Sequence, residues 1–265
     1  MPHIELDEST FYELRDFVYS LTGIYVQDSK KYLLENRLQK RLRDNKLESF
    51  RDYLYLLKYR SNQSEMNYLF DAITTNETYF FREEKQLTIL INRLIPELLN
   101  RHNIVKIWSA ACSTGEEPYS IAILINETPS IDRKRIQIIA SDISKSALSS
   151  AQRGIYSSYS VRKLPPDILK KYFIETNDFY KISDNIKSMV KLLQINLIDE
   201  KQMGQVRNAD VLFLRNVLIY FDNNAKKRVL NTIYDLMREP GYLFVGVSET
   251  LHNVTALFKP VMIDR

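Results

Sequence analysis

The sequence predicts an α/β protein in two parts, a small all-helical N-terminal region followed by a parallel, helix-covered sheet. Three observations carry that prediction. Apolar residues recur at helical spacing through the first part, with no strand-like alternation. From about Ile104 onward, short β-rich apolar runs alternate with helical segments, the pattern of a sheet covered on both faces. And 265 residues, 45% hydrophobic and 26% charged, suffice for one large or two modest domains with a real core.

Taken in order, Leu14, Phe17, Val18 and Leu21 mark a first helix, which Gly23 is placed to end. Ser29 is a candidate cap for a second, along which Leu34, Leu38 and Leu42 form an apolar stripe. Further helices are expected over 49–59 and from about Ser64 into Ile73. Residues 104–112 read as the first strand, 116–126 as a helix, and 136–141 as the second strand ahead of Asp142. A helix over 144–153 should stop at Gly154. Residues 190–197, 209–221 and 242–248 supply further strands, with a helix over 224–238 before a Pro240-Gly241 turn. The stretch 156–188 fits neither pattern, and the alternation at Tyr180-Lys181-Ile182-Ser183 points to a small inserted hairpin. The expected division is therefore 1–72 and 73–265, with a β insertion at about 156–188.

Composition narrows the setting. The lone cysteine, Cys112, allows no intramolecular disulfide and no cysteine-based zinc site, and His3, His102 and His252 lack ligand spacing. Met1-Pro2-His3-Ile4-Glu5 lacks the basic-then-apolar pattern of a signal peptide, and no apolar run approaches the roughly 20 residues that cross a bilayer. A reducing, cytoplasmic location is expected. The net charge of +4 is modest, so its distribution matters more than its sum.

Chemistry concentrates in Lys106-Ile107-Trp108-Ser109-Ala110-Ala111-Cys112-Ser113-Thr114-Gly115-Glu116-Glu117-Pro118-Tyr119-Ser120, where a buried strand turns at a glycine into a helix. A ligand can approach the backbone closely at such a turn. With one glycine and two helix-opening carboxylates it is not a pyrophosphate site; it suits a cationic ligand, unless Glu116 and Glu117 merely complement the helix dipole. Asp142 ends the second strand, roughly 27 positions beyond Gly115, where an acid can accept from both ribose hydroxyls. Its alternative is a helix N-cap, a task for which Ser144 competes. Together these features describe a site for a cationic, phosphate-free nucleoside, which S-adenosyl-L-methionine fits.

Ser109-Ala110-Ala111-Cys112-Ser113-Thr114-Gly115-Glu116-Glu117-Pro118-Tyr119-Ser120 resembles the signature of the chemotaxis receptor methyltransferase family, CheR. Thr74-Thr75-Asn76-Glu77-Thr78-Tyr79-Phe80-Phe81-Arg82-Glu83, Ala140-Ser141-Asp142-Ile143 and Arg215-Asn216-Val217-Leu218-Ile219-Tyr220-Phe221 agree with it in order, as does Asn36-Arg37-Leu38-Gln39-Lys40-Arg41-Leu42-Arg43. The resemblance covers nearly the whole chain. It implies a Rossmann-like class I methyltransferase sheet and transfer of a methyl group to receptor glutamates, with S-adenosyl-L-homocysteine as product. By the same similarity Asn76, Thr78, Arg82, Glu117 and Asp142 would hold the cofactor, and Asn196-Leu197 and Asn216-Val217 would flank its adenine and methionine parts. Arg82 and Tyr220 would be the catalytic residues. Two departures stand out: Leu214 replaces a common cysteine, and members usually run through a final strand where this chain reaches Asp264-Arg265.

A glutamate acceptor, with a reference pKa of about 4.3, is already ionised at neutral pH and needs no general base. No histidine falls in a candidate motif, in keeping with that reaction. On the second helix Lys30, Arg37, Lys40 and Arg41 lie to one side of the leucine stripe. They could form a solvated face or a nucleic-acid contact; the resemblance implies docking onto the acidic cytoplasmic helices of methyl-accepting receptors. The expected partner is then the receptor and not nucleic acid, with a monomeric enzyme reaching the membrane only through it. The rival readings are a methyltransferase of the same fold acting on RNA or a small molecule, and a cofactor-binding module without turnover.

Overall fold

Side-chain caps and a left-handed glycine punctuate the N-terminal helices. The computed structural model describes residues 3–263; Met1 and Pro2 of the leader reading, and Asp264 and Arg265 of the last-strand comparison, lie outside them. Helix α1 (Glu8–Thr22) opens where the Asp7 carboxylate accepts from the Thr10 amide and closes at Gly23, with φ of 71°. Helix α2 spans Lys31–Asp44, α3 Phe50–Tyr59 under a Ser49 cap, and α4 Gln63–Ile73 under an Asn62 cap. Ser29 does not cap α2. It sits in a 3-10 turn, Asp28–Lys30, whose tight hydrogen bonds already occupy the amides of Lys30 and Lys31.

The helices close over Phe11, Leu14, Leu34, Leu38, Leu42, Phe50, Leu57 and Leu69. Each buried leucine contributes roughly 1.5–3 kcal/mol. At the edge of this core Arg41 gives Glu65 a two-pronged contact, Nε to Oε1 at 3.0 Å and Nη2 to Oε2 at 2.6 Å. Tyr53 donates to the same carboxylate at 2.9 Å.

After α4 come α5 (Glu84–Ile89), a π-helical turn over Leu90–Leu94 and α6 (Ile95–Arg101). Strand β1 (Val105–Ala110), α7 (Glu116–Glu127), β2 (Ile136–Asp142) and α8 (Lys145–Arg153) follow. The insertion carries β3 (Ile155–Ser157), α9 (Ser158–Val161), α10 (Pro166–Tyr172), β4 (Phe173–Thr176) and β5 (Phe179–Ile182). The chain then returns through α11 (Asp184–Lys187), β6 (Val190–Gln194), α12 (Glu200–Met203), β7 (Ala209–Leu214), α13 (Asn223–Leu236) and β8 (Met237–Val245).

The five long strands form one parallel sheet in the order β6-β2-β1-β7-β8. Side chains of β1 alternate between its two cores: Val105 and Ile107 join one, Trp108 and Ala110 the other. The fold is the expected parallel, helix-covered sheet behind an all-α region. The insertion is a three-stranded antiparallel sheet, β3-β5-β4, so the expected hairpin gains a third strand from Ile155–Ser157.

Four expected strands change length; the first, expected over 104–112, spans Val105–Ala110 and stops where Ala111 turns left-handed at φ 58°. The apolar run to Phe221 is cut at Leu214, because Asn216 turns left-handed at φ 57° and Leu218–Tyr220 coil into a 3-10 turn. The run to Leu197 ends at Gln194. Strand β8 begins earlier, at Met237, and the Pro240-Gly241 turn lies inside it. Proline has no amide to give the ladder, and pairing jumps from Ala209–Met237 to Val211–Tyr242. No described helix is long and apolar enough to cross a membrane.

The buried Arg41–Glu65 contact and the exposed Lys40–Asp44 pair make an internal control. Arg41→Ala strands a buried carboxylate and should cost about 3–5 kcal/mol in denaturant unfolding, whereas Lys40→Ala should cost under about 0.5 kcal/mol. Equal losses would show that burial of the pair is immaterial.

Candidate functional site

The turn after β1 is conformationally demanding. Ala111, Ser113 and Gly115 all adopt left-handed backbone, at φ of 58°, 52° and 95°. The first two do so at a cost of order 1 kcal/mol each. A side chain at Gly115 would meet the Tyr119 ring at 2.8 Å and the Ala151 methyl at 2.9 Å, which makes glycine mandatory there. The reward is a backbone folded across the carboxyl edge of the sheet, where the strand order reverses between β1 and β7. A ligand crevice is expected at such a switch point.

Asp142 lies at that edge, 6% exposed. One of its oxygens accepts from the Ser113 amide and the other from the Ser144 amide, both at 2.8 Å. Burial pushes its carboxyl pKa up, and those amide bonds oppose the shift. Ser144 caps α8 by accepting from the Ala147 amide, which leaves Asp142 with spare lone pairs for a ligand. Cys112, between these groups, is buried, and burial holds its thiol pKa well above the usual range.

The two helix-opening carboxylates part company. Glu116 is buried, accepts from Thr114 and Ser160, and does not line the crevice. Glu117 does line it. It accepts from Ser109 at 2.6 Å and meets Arg215 at 3.2 Å. The reading that both carboxylates await a cationic ligand is thus corrected: one is satisfied by hydroxyls and the other is matched by an internal arginine. Burial raises the Glu117 pKa, and the Arg215 charge opposes that rise.

Arg215 also reaches Glu83 at 3.3 Å and donates to the Arg82 carbonyl at 2.6 Å; its buried Nε finds no hydrogen-bond partner among the described residues. Sequence reasoning quoted Arg215 but gave it no task. The available signal was an arginine closing a continuous apolar strand, a place that demands a carboxylate. Glu249 was missed entirely. It accepts from the amides of Asn216, Gly246 and Ile219 and so fixes the loop after β7. Nothing local in the sequence announces it.

The crevice spans about 990 Å³ of space between protein atoms, part of it open solvent. Its walls include every residue expected at the cofactor: Asn76, Thr78, Arg82, Glu117, Asp142, Asn196, Leu197, Asn216 and Val217, with Tyr220 beside them. Asn196 holds α1, since its Nδ2 donates to the Leu21 carbonyl at 2.6 Å. Arg82 donates to the Glu77 carbonyl at 3.0 Å and pairs with neither Glu83 nor Glu84. Among the described residues no carboxylate is within 4.0 Å of its guanidinium. Tyr220 ends a 3-10 turn and is not part of a buried strand. Its carbonyl accepts from the Tyr25 amide, while its hydroxyl has no partner among the described residues.

The basic residues of the N-terminal region do not form one free patch. Lys30 and Lys40 are exposed. Arg37 is spent on the Ile73 carbonyl (2.5 Å) and the Thr75 hydroxyl (2.7 Å), and Arg41 is drawn inward to Glu65. Among the described residues no group of acidic, histidine and cysteine side chains could hold a metal ion.

Residues 76–265 match the family model described as CheR methyltransferase, SAM binding domain, and residues 9–74 match CheR methyltransferase, all-alpha domain. The chain is 36% identical over 263 residues to chemotaxis protein methyltransferase 2 of Vibrio cholerae, covering 97% of this chain and 91% of the relative. It is 35% identical over 259 residues to the chemotaxis protein methyltransferase of Borreliella burgdorferi, covering 95% and 91%. The solved methyltransferase domain of bacterial CtHen1 overlaps 58% of this chain and 60% of its own at a TM-score of 0.34 and 15% identity, too slight a likeness to carry weight.

The Glu117–Arg215 pair predicts a pH signature. A carboxylate whose folded pKa is raised loses stabilisation as pH climbs from its unfolded to its folded value. Arg215→Met removes the charge that restrains Glu117 and extends that window upward. Its loss in Tm should therefore be larger near pH 8 than near pH 5. A loss independent of pH would show that Glu117 does not feel Arg215.

Proposed function

Since the chain belongs to the CheR methyltransferase family, whose fold and S-adenosyl-L-methionine-binding unit it carries, we propose that it esterifies glutamate side chains of methyl-accepting chemotaxis receptors. In this reading the helices of 1–72 dock the receptor, and 73–265 hold the cofactor and the reaction. One observation carries it: a single crevice gathers the Asp142 and Glu117 carboxylates with an Arg82 guanidinium that no carboxylate pairs among the described residues and a Tyr220 hydroxyl that has no partner among them.

The crevice suits a phosphate-free nucleoside bearing an amino-acid tail. Asp142 retains acceptor capacity for ribose hydroxyls, and the unsatisfied Arg215 Nε is a donor for a carboxylate. Bound there, S-adenosyl-L-methionine supplies a methyl group made electrophilic by its sulfonium. Asn76 and Thr78 shape one wall and Asn196-Leu197 and Asn216-Val217 another.

The chain's own task is to position a nucleophile that needs no activation. An acceptor glutamate, with a reference pKa of about 4.3, arrives ionised. No histidine lines the crevice, in keeping with a reaction that moves no proton. Arg82 orients the incoming carboxylate in its planar fork, and Tyr220 fixes the approach along which the oxygen must travel. Alignment of this kind contributes up to about 7–11 kcal/mol in the best intramolecular cases. Exposed Lys30 offers the receptor's acidic helices a cationic edge, with Lys40 nearby already paired to Asp44.

Transfer of radiolabelled methyl to receptor-containing membranes, followed by alkali, tests the reading. Carboxyl methyl esters release volatile label, whereas label that resists alkali would overturn glutamate esterification. Arg82→Ala should lower kcat by at least about a hundredfold while changing cofactor Kd less than about threefold. Asp142→Asn should weaken cofactor binding by about tenfold or more in calorimetry, because a hydrogen-bonded charge contributes about 1.5–3 kcal/mol.

A further inference from the structure

Arg162 is clamped between two tyrosines in the insertion. It directly follows α9, with its guanidinium carbon 3.9 Å from the centroid of the Tyr79 ring and 3.6 Å from that of Tyr159. The Arg82 guanidinium lies 5.8 Å from the same Tyr79 centroid. One ring therefore serves two cations, of which Arg82 lines the crevice and Arg162 stands outside it, exposed. Among the described residues no carboxylate pairs with either.

The clamp is built from both sides. The Tyr159 hydroxyl donates to Glu77 at 3.0 Å, and the Phe80 amide donates to the Ser160 carbonyl at 2.9 Å. Arg162 itself donates to the Tyr159 carbonyl. An exposed arginine ordinarily samples many side-chain conformers. Stacked between rings it has given up much of that freedom, while its remaining edge donors still face solvent. Neither cation is engaged in an ion pair among the described residues, so a pair of incoming anions would find a partner in each.

On a helix, residues three or four positions apart hold their Cβ atoms about 5–6 Å from each other. We infer that Arg162 reads a second carboxylate, one helical turn from the glutamate presented to Arg82. It is then a specificity-determining residue at the mouth of the site. This inference rests on the receptor-glutamate reading.

Two receptor fragments decide it, one with an acidic residue one turn from the accepting glutamate and one with that residue changed to glutamine. Arg162→Gln keeps a planar group over the tyrosines and removes the charge. On the first fragment it should raise KM roughly fivefold to tenfold, with kcat and cofactor Kd unchanged, and Arg162→Lys should recover most of the loss. On the second fragment the wild type should show the same raised KM, and Arg162→Gln should add nothing. An equal loss on both fragments would mean a merely structural clamp, and no loss on either would remove Arg162 from recognition; both overturn the inference. If the wild type forms no base-labile ester on either fragment, the receptor-glutamate reading falls first and takes the Arg162 assignment with it.

Discussion

The buried guanidinium of Arg215 is the knot at which three otherwise separate loops meet. From the end of β7 it contacts Glu117 at the start of α7, Glu83 ahead of α5, and the Arg82 carbonyl. Burying one arginine against two carboxylates is expensive unless hydrogen bonds and charge close around it. Once they close, Arg82 and the first turn of α7 hold fixed places relative to the sheet. The same contact explains how a carboxylate can line a ligand crevice without carrying an uncompensated charge.

How legible this was depends on the range of the interaction. Helices α1, α3 and α4 could be read because their apolar spacing and caps are local; Ser49 and Asn62 serve within their own first turns. The Asp142–Ser144 competition was visible too, since both candidates stand within three residues of the helix they could cap. The run to Phe221 misled because Leu218-Ile219-Tyr220-Phe221 is as apolar as a strand. Only the left-handed Asn216, held by a carboxylate on a distant loop, shows why pairing stops. Arg41 misled for the same kind of reason: helical spacing placed it beside Lys40 and Arg37, but its partner, Glu65, lies on another helix. Positions governed by periodicity could be read from the chain, whereas positions governed by a partner far along it could not.

The N-terminal helices are more than an appendage. Thr22 and Ile24 line the crevice, Ile24 bridges to Phe221, and Tyr25 holds the Tyr220 carbonyl. Arg37 grips the backbone that leads from α4 to Asn76. Asp71 accepts from Ser144 and Ser146 at the start of α8, and Asn67 meets Gln194 at the end of β6. The helical region therefore supplies part of the wall behind which the cofactor unit works, and a disturbance on α2 has a short hydrogen-bonded path to that wall through Arg37.

The protein's single thiol offers a practical opening. Cys112 is sealed in the turn after β1, among carboxylates that with burial keep it protonated and unreactive. Any cysteine engineered onto the surface would be chemically unique without first removing a native one. A dye or spin label could then be fixed at the mouth of the crevice or on the N-terminal helices, with the reactive turn left as nature packed it.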